Sequence, residues 1–192
     1  MHRLTSSAVI LGLAQILALA GHGYLYYEVE AKTFATYQIW LAVVNIFLPL
    51  IVSRNETRLV ASEKHLDFLA LAVSWSRNIT AVLILTVPPI AFYFFSIPPL
   101  IVFVAVLQAL TMTFILFAIH LTIVEQSLLR VNILRSVTIM LPPVCVVLAA
   151  ATYSVDSLSL VIFHFAGTLM LFMYILTQNK NFKKSVISGI FL

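Results

Sequence analysis

The chain has 192 residues, of which 62% are hydrophobic and 9% charged, with a mean hydropathy of +1.08. Soluble domains carry about 25% charged residues, so this composition excludes a soluble globular domain and indicates an integral membrane protein. The formal charge of +4 is spread thinly between apolar runs, which excludes a nucleic-acid-binding surface and reads as a loop bias. Cys145 stands alone in an apolar run, so a disulfide framework is excluded and it reads as a small core residue.

A helix that crosses a bilayer needs roughly 20 mostly apolar residues. Six segments qualify, so the expected fold is all-α: a polytopic membrane protein forming one six-helix domain. The first span is predicted at residues 4–24 and contains Gln15 and His22. Arg3, the apolar run and "ALAGHG" also resemble a secretory signal cleaved after Ala20. The run is long for a signal core, and its removal would leave five spans, which favours a retained helix. A short connection with Glu28, Glu30 and Lys32 follows. His22 and Glu30 share this end and could titrate together, although their spacing does not require it.

The second span is predicted at 34–53 and contains Asn45. It ends in "SRNETRLV", 53–60, where Arg54 and Arg58 stand one helical turn apart. The segment 58–77 mixes charge with apolar residues and reads as a helix lying at the membrane surface. Trp75 beside Arg77 suits an interfacial anchor. The third span is predicted at 79–95, with a possible backward extension into 68–76, and "SIPP", 96–99, forms a turn to the fourth at 99–123. The fifth span, 137–153, follows a connection bearing Arg130 and Arg135, and the sixth lies at 158–177.

The cations orient these spans. With the N-terminus inside, ten of the eleven basic residues fall on one side and only Lys32 on the other. That split is the positive-inside signature, so both termini are expected in the cytoplasm. Tyr24, Tyr26, Tyr27, Tyr93 and Tyr153 fall at the outer ends, where amphipathic rings favour the interface. The sequons at Asn55 and Asn78 fall on the cytoplasmic side and read as chance matches.

Several residues inside the spans could carry function. Gln15, Asn45 and Gln108 are costly against lipid, so each is expected to hydrogen-bond between helices or to line a hydrophilic cavity. Gln15 and Asn45 could share one lumen. His120 and His164 are intramembrane histidines, for which a helix-packing hydrogen bond is the plainer role and a functional site the sharper one. The pairs Pro88–Pro89 and Pro142–Pro143 each remove backbone hydrogen bonds, giving either static kinks or hinges. There is no phosphate-binding glycine loop, metal-ligand spacing or nucleophile elbow. No cofactor or metal is expected, and an intramembrane enzyme is disfavoured because paired acids are missing from the spans.

"LGLAQILALA", a short loop and "FATYQIWLAVVNIFLPLIVSRNETRLVAS" together resemble the opening of Wzx-type flippases for lipid-linked oligosaccharides, within the multidrug, oligosaccharidyl-lipid and polysaccharide exporter superfamily. "FATY" stands where such proteins carry an aromatic, small-residue segment, without the usual glycine. "SRNETRLV" takes the place of their arginine and acidic residue. "EQSLLRVNILRSV" resembles their basic connection before the fifth helix. The likeness covers roughly residues 4–140. Family members usually have twelve or more helices in two bundles of six, so this chain would match one bundle. "NKNFKKSVISGIFL" looks like a connection towards a seventh helix. The resemblance implies an inner-membrane transporter for undecaprenyl-pyrophosphate-linked sugar, used in cell-surface polysaccharide such as O-antigen and lipopolysaccharide. It would be a half transporter, a truncated one, or a subunit that pairs with a second six-helix half or a second copy. Some of Arg54, Arg58, Arg130 and Arg135 would then meet the pyrophosphate at the cytoplasmic mouth. The competing reading is a membrane scaffold or assembly subunit, in which the arginines only fix topology.

Overall fold

The structure is a computed structural model that describes residues 2–95, 97–124 and 128–192. Its helices are α1 (His2–Glu28), α2 (Ala31–Val52), α3 (Asn55–Ala61), α4 (His65–Phe95), α5 (Pro99–Val124), α6 (Leu128–Thr152), α7 (Ser157–Gln178) and α8 (Lys180–Phe191). Six of them, all but α3 and α8, are long and apolar enough to cross a membrane. The expected all-α architecture with six spans is therefore present. The turn at 96–99 and the connection at 125–137 fall partly outside the described residues, as does the Arg3 side chain.

The bundle is organised around α5. This helix is apolar on every face and is the most buried of the six. It packs against α2, α4 and α7, and also meets α3 and α6. Small residues permit the close approach: Ala105 and Ala109 are fully enclosed on α5. Lipid tails are as apolar as leucine, so contact between membrane helices depends on such packing rather than on expelling water. Gly167 on α7 serves the same purpose, because a β-carbon there would stand 3.0 Å from both Pro142 Cα and Cys145 Sγ on α6. Two apolar clusters fill the interior. One joins Leu25, Tyr37, Trp40 and Leu160, and the other joins Leu59, Leu69, Phe117 and Phe182.

The segment 58–77 differs from its expected form. It is not one surface helix. Its first part belongs to α3, and the rest opens α4, which continues unbroken through 31 residues. Arg77 does not end this helix because its guanidinium finds polar partners. Nη1 donates to the carbonyl of Ile190 on α8, and Nε and Nη2 donate to Asn78 Oδ1 at 3.2 and 2.9 Å. At 1.5 Å per residue α4 is about 46 Å long and exceeds a hydrocarbon core of about 30 Å. Trp75 is exposed next to Arg77, as an interfacial anchor requires. α6 likewise starts nine residues earlier than expected, at Leu128 rather than 137.

α2 stops where "SRNETRLV" begins. Ser53 and Arg54 both adopt left-handed backbone, with φ of 47° and 60°. Ser53 N–H donates to the Pro49 carbonyl at 3.0 Å and Ser53 Oγ to Leu50 O at 2.6 Å. These bonds satisfy the carbonyls left at the helix end. The reversal lays α3 against α4 and α5. Asn55, in the first sequon, is buried there.

α8 turns back after α7 and packs along α4 through Phe182, Ser185, Val186 and Gly189. Asn179 starts it by accepting a hydrogen bond from Phe182 N at 2.9 Å. The tail is thus an amphipathic helix docked on the bundle, with Lys180, Lys183 and Lys184 exposed.

The two proline pairs sit within continuous helices. Each proline frees the carbonyl four residues earlier. Pro142 and Pro143 are both buried, and Pro142 lies against Gly167 of α7, a contact that favours a packed kink there. Pro88 and Pro89 line an apolar groove of about 540 Å³ between α4 and α5.

Candidate functional site

Inside the bundle, a line of polar side chains crosses four helices. On α2, Tyr37 and Trp40 share the inward face with Val44, Phe47 and Ile51, at alternating spacings of three and four. On α7, His164 and Thr168 are one turn apart and both buried. The Tyr37 hydroxyl and His164 Nδ1 are 2.7 Å apart. Either the hydroxyl donates to a bare Nδ1, or a protonated Nδ1 donates to the hydroxyl oxygen. Trp40 completes the surround, its ring centre 5.9 Å from Tyr37 and 5.1 Å from His164, edge-on to the imidazole. Deeper in, Gln108 Nε2 on α5 donates to Thr168 Oγ1 at 2.8 Å, and Thr168 Oγ1 donates to His164 O at 3.2 Å. At the other end of the line, His22 on α1 stacks on Tyr37 with ring centres 6.3 Å apart. Its Nδ1–H donates to Ala18 O at 2.8 Å. Two buried atoms in this group have no partner among the described residues: Trp40 Nε1 and Gln108 Oε1.

The expected site residues fare differently. Gln108 makes the interhelical bond foreseen for a polar residue in a span. Gln15 and Asn45 are both exposed. α1 leans on α6 along its length and touches α2 only slightly, so these two amides do not share a lumen within this bundle. His120 Nδ1 donates to Leu116 O at 2.8 Å within its own helix. Glu30 is exposed at the start of α2 and makes no capping bond. His22 neighbours Tyr37 instead, and the structure does not join His22 to Glu30.

The four arginines do not close a ring. Arg54 precedes α3 and Arg58 lies within it, held one turn apart by Arg58 N to Arg54 O at 3.3 Å, and both are exposed. Arg135 is also exposed on α6. Of the four, Arg130 lines a cleft of about 420 Å³ where α5, α6 and α7 meet at the cation-rich end. Thr122, Tyr174, Gln178 and Asn179 supply its other polar groups, and Ala118, Ile133, Leu134 and Ile175 its apolar ones. The cleft combines one guanidinium with hydroxyl and amide groups, a set suited to an anionic, oxygen-rich head group. Among the described residues, no group of three His, Cys, Asp or Glu side chains could hold a metal ion.

Sequence reasoning missed Tyr37, Trp40 and Thr168. The available signal was the one-sided spacing of 37, 40, 44, 47 and 51, which puts a hydroxyl and an indole N–H on the packed face of a span. No protein-family model matches this chain, and no similar curated protein or solved structure was found. The flippase resemblance accordingly rests on sequence motifs alone.

At the opposite end, Asp156 caps α7 by accepting from Ser159 N at 2.8 Å and from Ser159 Oγ at 2.5 Å. These bonds hold its carboxyl below the ordinary carboxylate range. Stability from such a group is present above its unfolded pKa and is lost as pH falls through the lowered folded value. Asp156→Ala is expected to fray the first turn of α7 and remove this acid-side loss, whereas Asp156→Asn keeps the cap and only removes the pH dependence. Amide exchange at Ser159 and Leu160, followed against pH, checks this.

Proposed function

We propose that this chain forms half of a flippase-type transporter in the cell inner membrane. It would carry undecaprenyl-pyrophosphate-linked oligosaccharide towards cell-surface polysaccharide, with both of its termini in the cytoplasm. The observation that carries the proposal is the Arg130 cleft. It opens at the end where α3, α8 and the other cations gather, and a guanidinium there can bind a pyrophosphate through paired charge-assisted hydrogen bonds. The exposed amides Gln15 and Asn45 supply the argument for a half. An amide facing lipid is unfavourable, so a second bundle, another copy of the chain, would cover them and complete a hydrophilic path.

The test is complementation of a flippase-deficient strain. Arg130→Glu is expected to lower surface polysaccharide by about 10-fold to 100-fold at equal membrane insertion, since hydrogen bonds to charged groups contribute about 1.5–3 kcal/mol. Full complementation by Arg130→Glu would refute the assignment. A second reading is an assembly subunit that does not transport. It is favoured by a cleft lining that includes neither Arg54 nor Arg58, and it is supported if the variant and the parent both fail to restore polysaccharide.

A further inference from the structure

The face shared by α1, α2 and α7 encloses titratable side chains without a counter-charge. Tyr37 and His164 are buried and 2.7 Å apart at their polar atoms, and His22 stacks on the tyrosine. His22 is half-buried and lies near the end of α1 at Glu28, so it marks the wetter side of the group. From α6, Cys145 stands against Gly167, three residues along α7 from His164. From α5 comes the neutral Gln108, through Thr168. The lysines of α8 follow the far end of α7. Among the described residues, no carboxylate or ammonium meets the imidazole.

We propose that His164 is a proton-binding site, supplied through Tyr37 from the His22 side, and that its occupancy loosens the contact between α2 and α7. The proton balance is simple. With neutral His164, Nδ1 accepts the Tyr37 O–H. The Tyr37 proton passes to His164 Nδ1, and the hydroxyl oxygen takes a proton from a hydronium ion on the His22 side, which leaves as water. Tyr37 ends neutral, and His164 holds one added proton.

The charged ring is poorly provided for in the closed bundle. Its polar neighbour is one hydroxyl, and an unpaired buried charge is strongly unfavourable. Water reaching the ring between α2 and α7 relieves this. Trp40 Nε1 and Gln108 Oε1, both enclosed and unpartnered, would gain hydrogen bonds from the same water.

The chain has two tryptophans, Trp40 and Trp75. Trp75 is 53% exposed, so Trp75→Phe leaves Trp40 as the sole indole, 5.1 Å from His164. An imidazolium beside an indole, and water entering around it, both quench its fluorescence. The purified full chain in lipid nanodiscs is titrated from about pH 8 down to about pH 2.5, past the range in which exposed imidazoles titrate. Trp75→Phe is expected to lose at least half of its Trp40 emission in one reversible transition. The transition must vanish with His164→Gln added and persist with His22→Gln added. A flat profile in Trp75→Phe overturns the proposal whether or not the histidine variants fold, and so does any other pattern among them. Should His164→Gln fail to insert, Tyr37→Phe replaces it, and an unchanged profile there also overturns the proposal.

Discussion

Gly189→Ala is expected to release α8 from the bundle. A β-carbon on Gly189 would stand 2.3 Å from the carbonyl oxygen of Ala70 and 2.7 Å from Val73 Cβ. The carbonyl belongs to the backbone of α4, which continues for about seven turns beyond it and cannot yield locally. Overpacking of this kind costs about 1–3 kcal/mol. Alanine's better helix propensity contributes about 1 kcal/mol, but it favours α8 equally whether docked or free, so it does not offset the clash. The measurement is alkylation of a single cysteine placed at Ser185, which is buried against α4, in a Cys145→Ser background. Adding Gly189→Ala should raise the alkylation rate about tenfold or more, because 1.4 kcal/mol is tenfold in a local opening equilibrium. Ser188→Ala, on the exposed side of α8, should leave the rate unchanged. Equal rates for the two variants would contradict the docking described here.

The second large effect concerns Tyr37. Truncation to alanine removes a fully enclosed aromatic ring from the interior, a change of about 3–5 kcal/mol. It also strips His164 Nδ1 of its hydroxyl partner. Tyr37→Phe isolates the second part. Hydrogen bonds between membrane helices average about 0.6 and reach about 1.7 kcal/mol. A bond within the cluster of Trp40, Leu25 and Leu160 belongs at the upper end. A double-mutant cycle of Tyr37→Phe and His164→Leu, followed by unfolding in mixed micelles, should therefore give a coupling of about 1–2 kcal/mol. The double variant should be more stable than the two single changes add up to, because it leaves neither polar partner stranded. Additivity within about 0.5 kcal/mol would remove the bond from the account.

The spans were legible because twenty-residue apolar runs admit few alternatives in a bilayer. The charge split and the tyrosines also anticipated which helix ends share a side. Tyr26, Tyr27, Tyr93 and Tyr153 are all exposed at the end away from α3 and α8. Helix limits were less legible, since Arg77 looks like a stop in one dimension and becomes a bridge to Ile190 once α8 folds back. The polar line was half visible. His164 and Gln108 stand out as polar residues in apolar sequence, but Tyr37 lies in the "FATY" segment and Trp40 counts towards the apolar run of its span. Their partnership spans 127 positions of sequence, and only packing around α5 brings it together. The reverse holds for Gln15 and Asn45. Their polarity suggested an internal lumen, yet α1 diverges to α6 and leaves both on the outside of this bundle.

The most direct test of the central reading is translocation by the purified chain. Liposomes containing it and a fluorescent undecaprenyl-pyrophosphate oligosaccharide are exposed to a membrane-impermeant quencher. Without transport about half of the label, that of the outer leaflet, is quenched. With the chain present the quenched share should rise towards completeness, and Arg130→Glu should return it close to the protein-free level. A quenched share that stays at the protein-free level with the folded, inserted chain would contradict the transporter reading.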